Sequence, residues 1–147
     1  MSKDASRAWS RALATVFLLD GALALGFGAA SWATPHGTFG TILDLAGAGD
    51  GSLVIAALGA LSGFYVLVGA MCVLVALLPS PFRERFVLPV VASHLWTGFK
   101  GLQDIGRDWL IGNPWPDIVI HASFVAAYLL ATAGLLYRKR AGAPPPR

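Results

Sequence analysis

Charge is what this chain lacks most. Only 13% of its 147 residues are charged and 56% are hydrophobic, whereas a soluble domain carries about 25% charged and about 45–50% apolar residues. A water-soluble surface is hard to build from so few charges. The length suits one domain, and a chain this short buries only about two-thirds of its surface on folding. The mean hydropathy of +0.65 agrees. Cysteine is nearly absent: Cys72 stands alone within an apolar run, which excludes a disulfide framework or a thiolate metal cluster within one chain. With three histidines and neither HxxxH nor ExxH spacing, no metal site and no cofactor is expected. The net charge of +3 could suggest nucleic acid, but the basic residues sit at the ends of apolar runs rather than in a patch, so no nucleic acid partner is expected.

What the chain does have is hydrophobic length. About 20 largely apolar residues in a helix cross a hydrocarbon core about 30 Å thick. Four stretches qualify, residues 12–33, 52–78, 86–105 and 117–137, the third being the least hydropathic. Backbone groups in lipid must bond internally, which favours helices, and the runs lack the alternation of barrel strands. The sequence therefore predicts an all-α, four-helix transmembrane bundle over residues 1–140 as one domain. The Pro-rich segment 141–147 is expected to be disordered. The first run has the basic flank of a signal peptide, but it is too long for one and carries Asp20, so it is expected to be retained.

Orientation follows from Lys and Arg. Lys3, Arg7 and Arg11, Arg83 and Arg85, and Arg138, Lys139, Arg140 and Arg147 fall on one side, nine of eleven basic residues. That side is expected to be cytoplasmic, with both termini inside, in a bacterial inner membrane. Trp9, Phe82, Phe86 and Tyr137 would mark the inner interface, and Trp32, Trp109 and Trp115 the outer one. Small residues suggest contact faces: Gly59 and Gly63 in the second span, Gly21, Gly26 and Gly28 in the first, and Ala122/Ala126 and Ala127/Ala131 in the fourth.

Polar residues inside spans are the clue to function. At 100° per residue, Ser93, His94, Thr97, Lys100, Asp104, Arg107 and Asp108 share an arc of about 140°. That face should turn away from lipid. Counting about 1.5 Å per residue from each helix end puts Asp20, Tyr65 and His94 about 10–12 Å from the inner boundary, and Lys100, Asp104 and His121 about 21–27 Å from it. Two clusters follow, Asp20–His94 with Tyr65, and Lys100–Asp104–His121. The same count separates His94 from His121 by about 12 Å, too far for both to ligate one haem iron. Candidate ligand-binding residues are Asp20, Tyr65, His94, Thr97, Lys100, Asp104 and His121. His94, His121 and Asp104 are the candidate general acids or bases.

The segment Ser93-His94-Leu95-Trp96-Thr97-Gly98-Phe99-Lys100-Gly101-Leu102-Gln103-Asp104-Ile105, a Pro/Trp turn, and Trp115-Pro116-Asp117-Ile118-Val119-Ile120-His121 resembles the C-terminal half of the BphX-like family of small bacterial four-helix membrane proteins, and more distantly DoxX-like proteins. Gly98, Asp104 and His121 are the matching positions, within residues 87–140. The chain departs from that pattern at Ser93-His94, where an acidic residue is expected. The resemblance implies a four-helix membrane fold and brings no activity with it.

Several functions fit these residues. One is the binding of a small amphipathic or lipophilic molecule or lipid. Another is an accessory role in a larger membrane complex or homo-oligomer. A third is an enzyme acting on a lipophilic substrate by His/Asp acid–base chemistry, and a fourth is an oligomeric transporter. A polar network that only fixes helix register needs none of these.

Overall fold

A computed structural model describes residues 3–41, 43–45, 52–107 and 112–141. The elements are α1 (Lys3–Ala33), α2 (Pro35–Phe39), α3 (Leu53–Leu77), α4 (Ser80–Arg83), a 3-10 turn (Glu84–Phe86), α5 (Val87–Asp104) and α6 (Trp115–Ala141). The all-α class holds among the described residues. Helices α1, α3 and α6 contain stretches long and apolar enough to cross a membrane: Arg7–Ala33, Leu53–Leu77 and Trp115–Tyr137. The 18-residue α5, which carries His94, Lys100 and Asp104, is not among them.

Each helix stops for a local reason. The residue before a proline disfavours the α region, and Thr34, ahead of Pro35, leaves it at φ −140° and ψ 71°. Ser52 caps α3 by accepting a hydrogen bond from the Ile55 amide at 3.3 Å, and Pro79 follows its last turn. After α5, Gly106 takes φ +80°, a turn conformation that glycine adopts without strain. Helix α5 therefore ends at Asp104, three residues before Arg107, which lies beyond the helix and is exposed. The expected polar stripe is shortened accordingly, and Asp108 and Trp109 lie outside the described residues. Asn113 accepts from the Trp115 amide at 3.1 Å and starts α6 two residues before the expected span. Helix α6 continues to Ala141, so the expected tail loses its first residue to the helix, and 142–147 lie outside the described residues.

The helices pack unequally. Helix α1 lies along α3, and α6 packs against both α1 and α5. The α1–α3 contact is backbone-close: a Cβ at Gly21 would sit 2.8 Å from the Gly69 carbonyl oxygen, and one at Gly28 would sit 2.9 Å from that of Ser62. Without a hydrophobic drive between helices in lipid, such approaches hold the pair together. The expected Gly59/Gly63 face is not used, since a Cβ at either position, or at Gly26, meets nothing within 4 Å. Ala122 and Ala126 are likewise exposed, whereas Ala131 is buried.

The main core draws on all four long helices, with Leu13 and Phe17 of α1, Cys72 and Val75 of α3, Val87 and Val91 of α5, and Tyr128 and Leu135 of α6. A smaller cluster under α2 joins Phe39, Ile55 and Leu58. At the end of α3, Arg83 is buried rather than a free loop charge. Its guanidinium donates to the carbonyls of Val75, Ala76 and Leu78, at 3.4, 2.7 and 2.6 Å, and to that of Ser10 in α1 at 2.8 Å. A helix C-terminus leaves its last carbonyls unbonded, and one planar five-donor group satisfies them here. Burial lowers the Arg83 pKa, against a smaller opposing effect of Glu84.

Candidate functional site

The polar residues of the core converge on Asp20. It faces inward from the middle of α1 and is 7% exposed. A carboxylate there must be hydrogen-bonded. Its Oδ2 accepts from the Tyr128 hydroxyl of α6 at 2.8 Å, stands 2.9 Å from His94 Nε2 of α5, and has the Cys72 thiol of α3 at 3.9 Å. Helices α3, α5 and α6 thus each bring one group to a single carboxylate oxygen of α1. Phe17 meets the Tyr128 ring edge-on at 4.8 Å, and Phe124 stacks on His94 at 5.2 Å, fixing both rings.

From His94 the network continues outward. His94 Nδ1 and His121 Nδ1 stand 2.7 Å apart, and His121 Nε2 lies 3.4 Å from Asp117 Oδ1. The Asp117 side chain is 56% exposed. A continuous line of groups able to carry protons therefore runs from the surface to the buried Asp20.

The expected Asp20–His94 contact is present. The separation of His94 from His121 is not. The depth count assumed that both helices begin flush with the membrane boundaries. Packing sets the register instead: a Cβ at Gly98 would lie 3.6 Å from the His121 Cβ, so Gly98 is the residue opposite His121. His94 is one turn away, about 6 Å, which two imidazole side chains bridge. The level difference therefore no longer argues against an iron between the rings. Their two Nδ1 atoms bond each other directly instead. Among the described residues, no group of three His, Cys, Asp or Glu could hold a metal ion.

The other expected groupings change too. Tyr65 packs edge-on against Phe27 at 5.0 Å, away from Asp20, and Tyr128 takes the place expected for it. Tyr128 lies one turn past Phe124 and two past His121, on the same face of α6, and that spacing was the available signal. Lys100 pairs with Asp104 at 3.6 Å and with Gln103 at 3.4 Å, so His121 is not part of that group. The Lys100 side chain is 46% exposed, so the upper part of the stripe is not turned inward. Thr97 bonds back to the Ser93 carbonyl at 3.0 Å and faces outward.

Beside this network lies a groove of about 240 Å³ between α5 and α6. Leu95, Phe99, Leu102, Ile118, Ala122 and Val125 line it, with Gly98 and the His94 ring. Gly101, one turn from Gly98, lets Ile118 pack close to α5, since a Cβ there would press on Ile118 at 3.0 Å.

Comparison with protein-family models, with curated proteins and with solved structures found no match to the chain.

Proposed function

We propose that the chain is a four-crossing bacterial inner-membrane protein, with both termini cytoplasmic, that binds a small lipid-dissolved molecule in the groove between α5 and α6. The fourth crossing is α5. Its 18 residues span about 27 Å, close to the thickness of the hydrocarbon core. Its outer face is apolar, with Leu88, Leu95, Trp96 and Phe99 between 51% and 76% exposed. Exposed apolar faces of this extent mark contact with lipid or with partners. Its one buried polar side chain, His94, points inward. The resemblance of residues 87–140 to BphX-like proteins fits the same architecture.

The groove carries the ligand reading. Its lining is almost wholly hydrocarbon, it opens on the outer faces of α5 and α6, and a nearly buried histidine touches it. Such a site suits a largely apolar molecule that arrives from the membrane rather than from water. His94 beside the groove gives that molecule a neighbour able to exchange a proton. Hydrogen-bond donors or acceptors are few, so the molecule is hydrocarbon-like over most of its surface.

The test is photolabelling of the protein in phospholipid nanodiscs with a diazirine-bearing fatty alcohol. Labelled residues should fall on α5 and α6 around Gly98, and Ala122→Phe, which fills the groove from an exposed position, should abolish that labelling. Equal labelling of Ala122→Phe and the native protein would overturn the reading.

A further inference from the structure

The line from Asp117 to Asp20 has a proton count that ordinary charge states do not satisfy. It contains three contacts: Asp117 to His121 at 3.4 Å, His121 to His94 at 2.7 Å, and His94 to Asp20 at 2.9 Å. An ionised carboxylate only accepts, and a neutral imidazole carries one N–H. Each carboxylate contact therefore needs an imidazole N–H, and the Nδ1–Nδ1 contact needs another. Three protons are required, and two neutral rings supply two.

With only two, one contact opens, and burial decides which. The Asp20 side chain is 10% exposed and the Asp117 side chain 56%. A carboxylate facing a bare ring nitrogen in the core has no water to turn to, whereas Asp117 can swing into solvent. The two-proton state thus keeps His94 Nε2–H on Asp20 and His121 Nδ1–H on His94, and leaves His121 Nε2 bare at the exposed end.

We propose that Asp117, His121, His94 and Asp20 form a one-sided proton relay that takes up a single proton at the Asp117–His121 end and passes it to Asp20. The proton binds His121 Nε2, where an N–H bond forms and Asp117 accepts it. The Nδ1–H bond of His121 breaks as one forms at His94 Nδ1. The Nε2–H bond of His94 breaks as an O–H bond forms at Asp20. One proton has entered, both rings end neutral, and all three contacts are filled.

The groups facing this line are few. Tyr128 of α6 donates to Asp20 Oδ2 at 2.8 Å, and the Cys72 thiol of α3 stands 3.9 Å from the same oxygen. Tyr65 of α3 lies within electrostatic reach of Asp117. Past Asp20, toward Arg83, the way is closed by Leu13, Phe17 and Leu135, none more than 1% exposed. The proton enters and leaves by one end, so the relay stores it rather than conducting it. None of this depends on an occupant in the groove, so failure of the ligand reading leaves it standing.

The experiment uses the full chain in phosphatidylcholine nanodiscs without added ligand. Nitrogen NMR of labelled histidines should show scalar coupling between His94 Nδ1 and His121 Nδ1 through the shared proton. Its absence overturns the relay. An infrared pH-jump follows the Asp20 carboxylic C=O band, assigned by its loss in Asp20→Asn. His121→Phe should slow the appearance of that band by about a hundredfold, the low end of what a positioned proton-transfer group contributes; an unchanged rate overturns the proposal. If Asp20→Asn does not fold, the nitrogen coupling in the native protein decides alone.

Discussion

His94 and His121 face each other Nδ1 to Nδ1 at 2.7 Å. One ring must donate and the other accept, so the two side chains cannot choose their tautomers independently. The two side chains are nearly equally buried, 11% and 15% exposed, but His94 meets the buried Asp20 and His121 the half-exposed Asp117. Their replacement should therefore cost different amounts. His94→Ala strips Asp20 of its imidazole N–H donor in the core, a loss on the order of 2–3 kcal/mol, the range for a hydrogen bond to a charged group. His121→Ala leaves His94 able to reach incoming water and should cost about 1 kcal/mol. Reversible unfolding in mixed micelles would rank the pair, and the reverse order would remove His94 from the centre of the network.

Tyr128 and Tyr65 give a second contrast. The Tyr128 hydroxyl is bonded to Asp20 at 2.8 Å, and Tyr128 is fully buried. Tyr128→Phe should destabilise the protein by about 1–3 kcal/mol. Tyr65→Phe keeps the edge-on contact with Phe27 and should change stability by no more than about 0.5 kcal/mol. Melting temperatures of the two variants in one detergent check this. Equal losses would mean that the hydroxyl–carboxylate bond contributes little.

The difference between the tyrosines also shows what the sequence could and could not say. Three of the four expected spans, those of α1, α3 and α6, were legible, because unbroken apolar length is a one-dimensional property, and α3 lies within one residue of its expected span at each end. The Asp20–His94 contact was legible because two polar groups in apolar helices have few other places to go. Register between helices was not, because Gly98, a residue with no side chain, sets how α5 sits on α6. Depth counted from helix ends cannot register such an approach. That one offset moved His121 from Lys100 to His94. The Gly59/Gly63 spacing failed for a related reason: spacing reports small residues, and only the partner helix decides which of them are used.

Gly21 and Gly69 turn that point into a prediction. A Cβ on either would lie 2.8 Å or less from the backbone of the facing helix. Backbone cannot move aside as a side chain tip can, so Gly69→Ala and Gly21→Ala should each cost about 1–3 kcal/mol. Gly59→Ala and Gly63→Ala, where a Cβ meets nothing, should be neutral or slightly stabilising through helix propensity. Loss of stability in the second pair alone would relocate the α1–α3 contact.

Arg83 offers a test of chemistry at constant charge. Its fork bridges three carbonyls at the end of α3 and the Ser10 carbonyl of α1. A lysine ammonium is a compact point charge and cannot meet so many acceptors in one plane. Arg83→Lys should therefore lose about 2 kcal/mol although the charge is kept, and Arg83→Ala about 3 kcal/mol or more. Comparable stability of Arg83→Lys and the native protein would reduce the residue to a topological charge.

The proposed crossing of α5 is open to a direct experiment. Arg85 precedes it and Asn113 follows it, and both are exposed. In a Cys72→Ala background, Arg85→Cys and Asn113→Cys are single exposed thiols at opposite ends of the helix. On the proposed orientation, with both termini cytoplasmic, a membrane-impermeant maleimide added to intact spheroplasts should modify Asn113→Cys and spare Arg85→Cys. Permeabilisation should expose both. The polar content of α5 makes this its critical test, since Lys100 and Asp104 sit within two turns of its end and can reach the interface by their own length. Modification of both thiols from the same side would mean that α5 lies along the membrane surface. The Asp20–His94 contact would then have to form between a spanning helix and an interfacial one, which the burial of His94 beneath Phe124 and Tyr128 argues against.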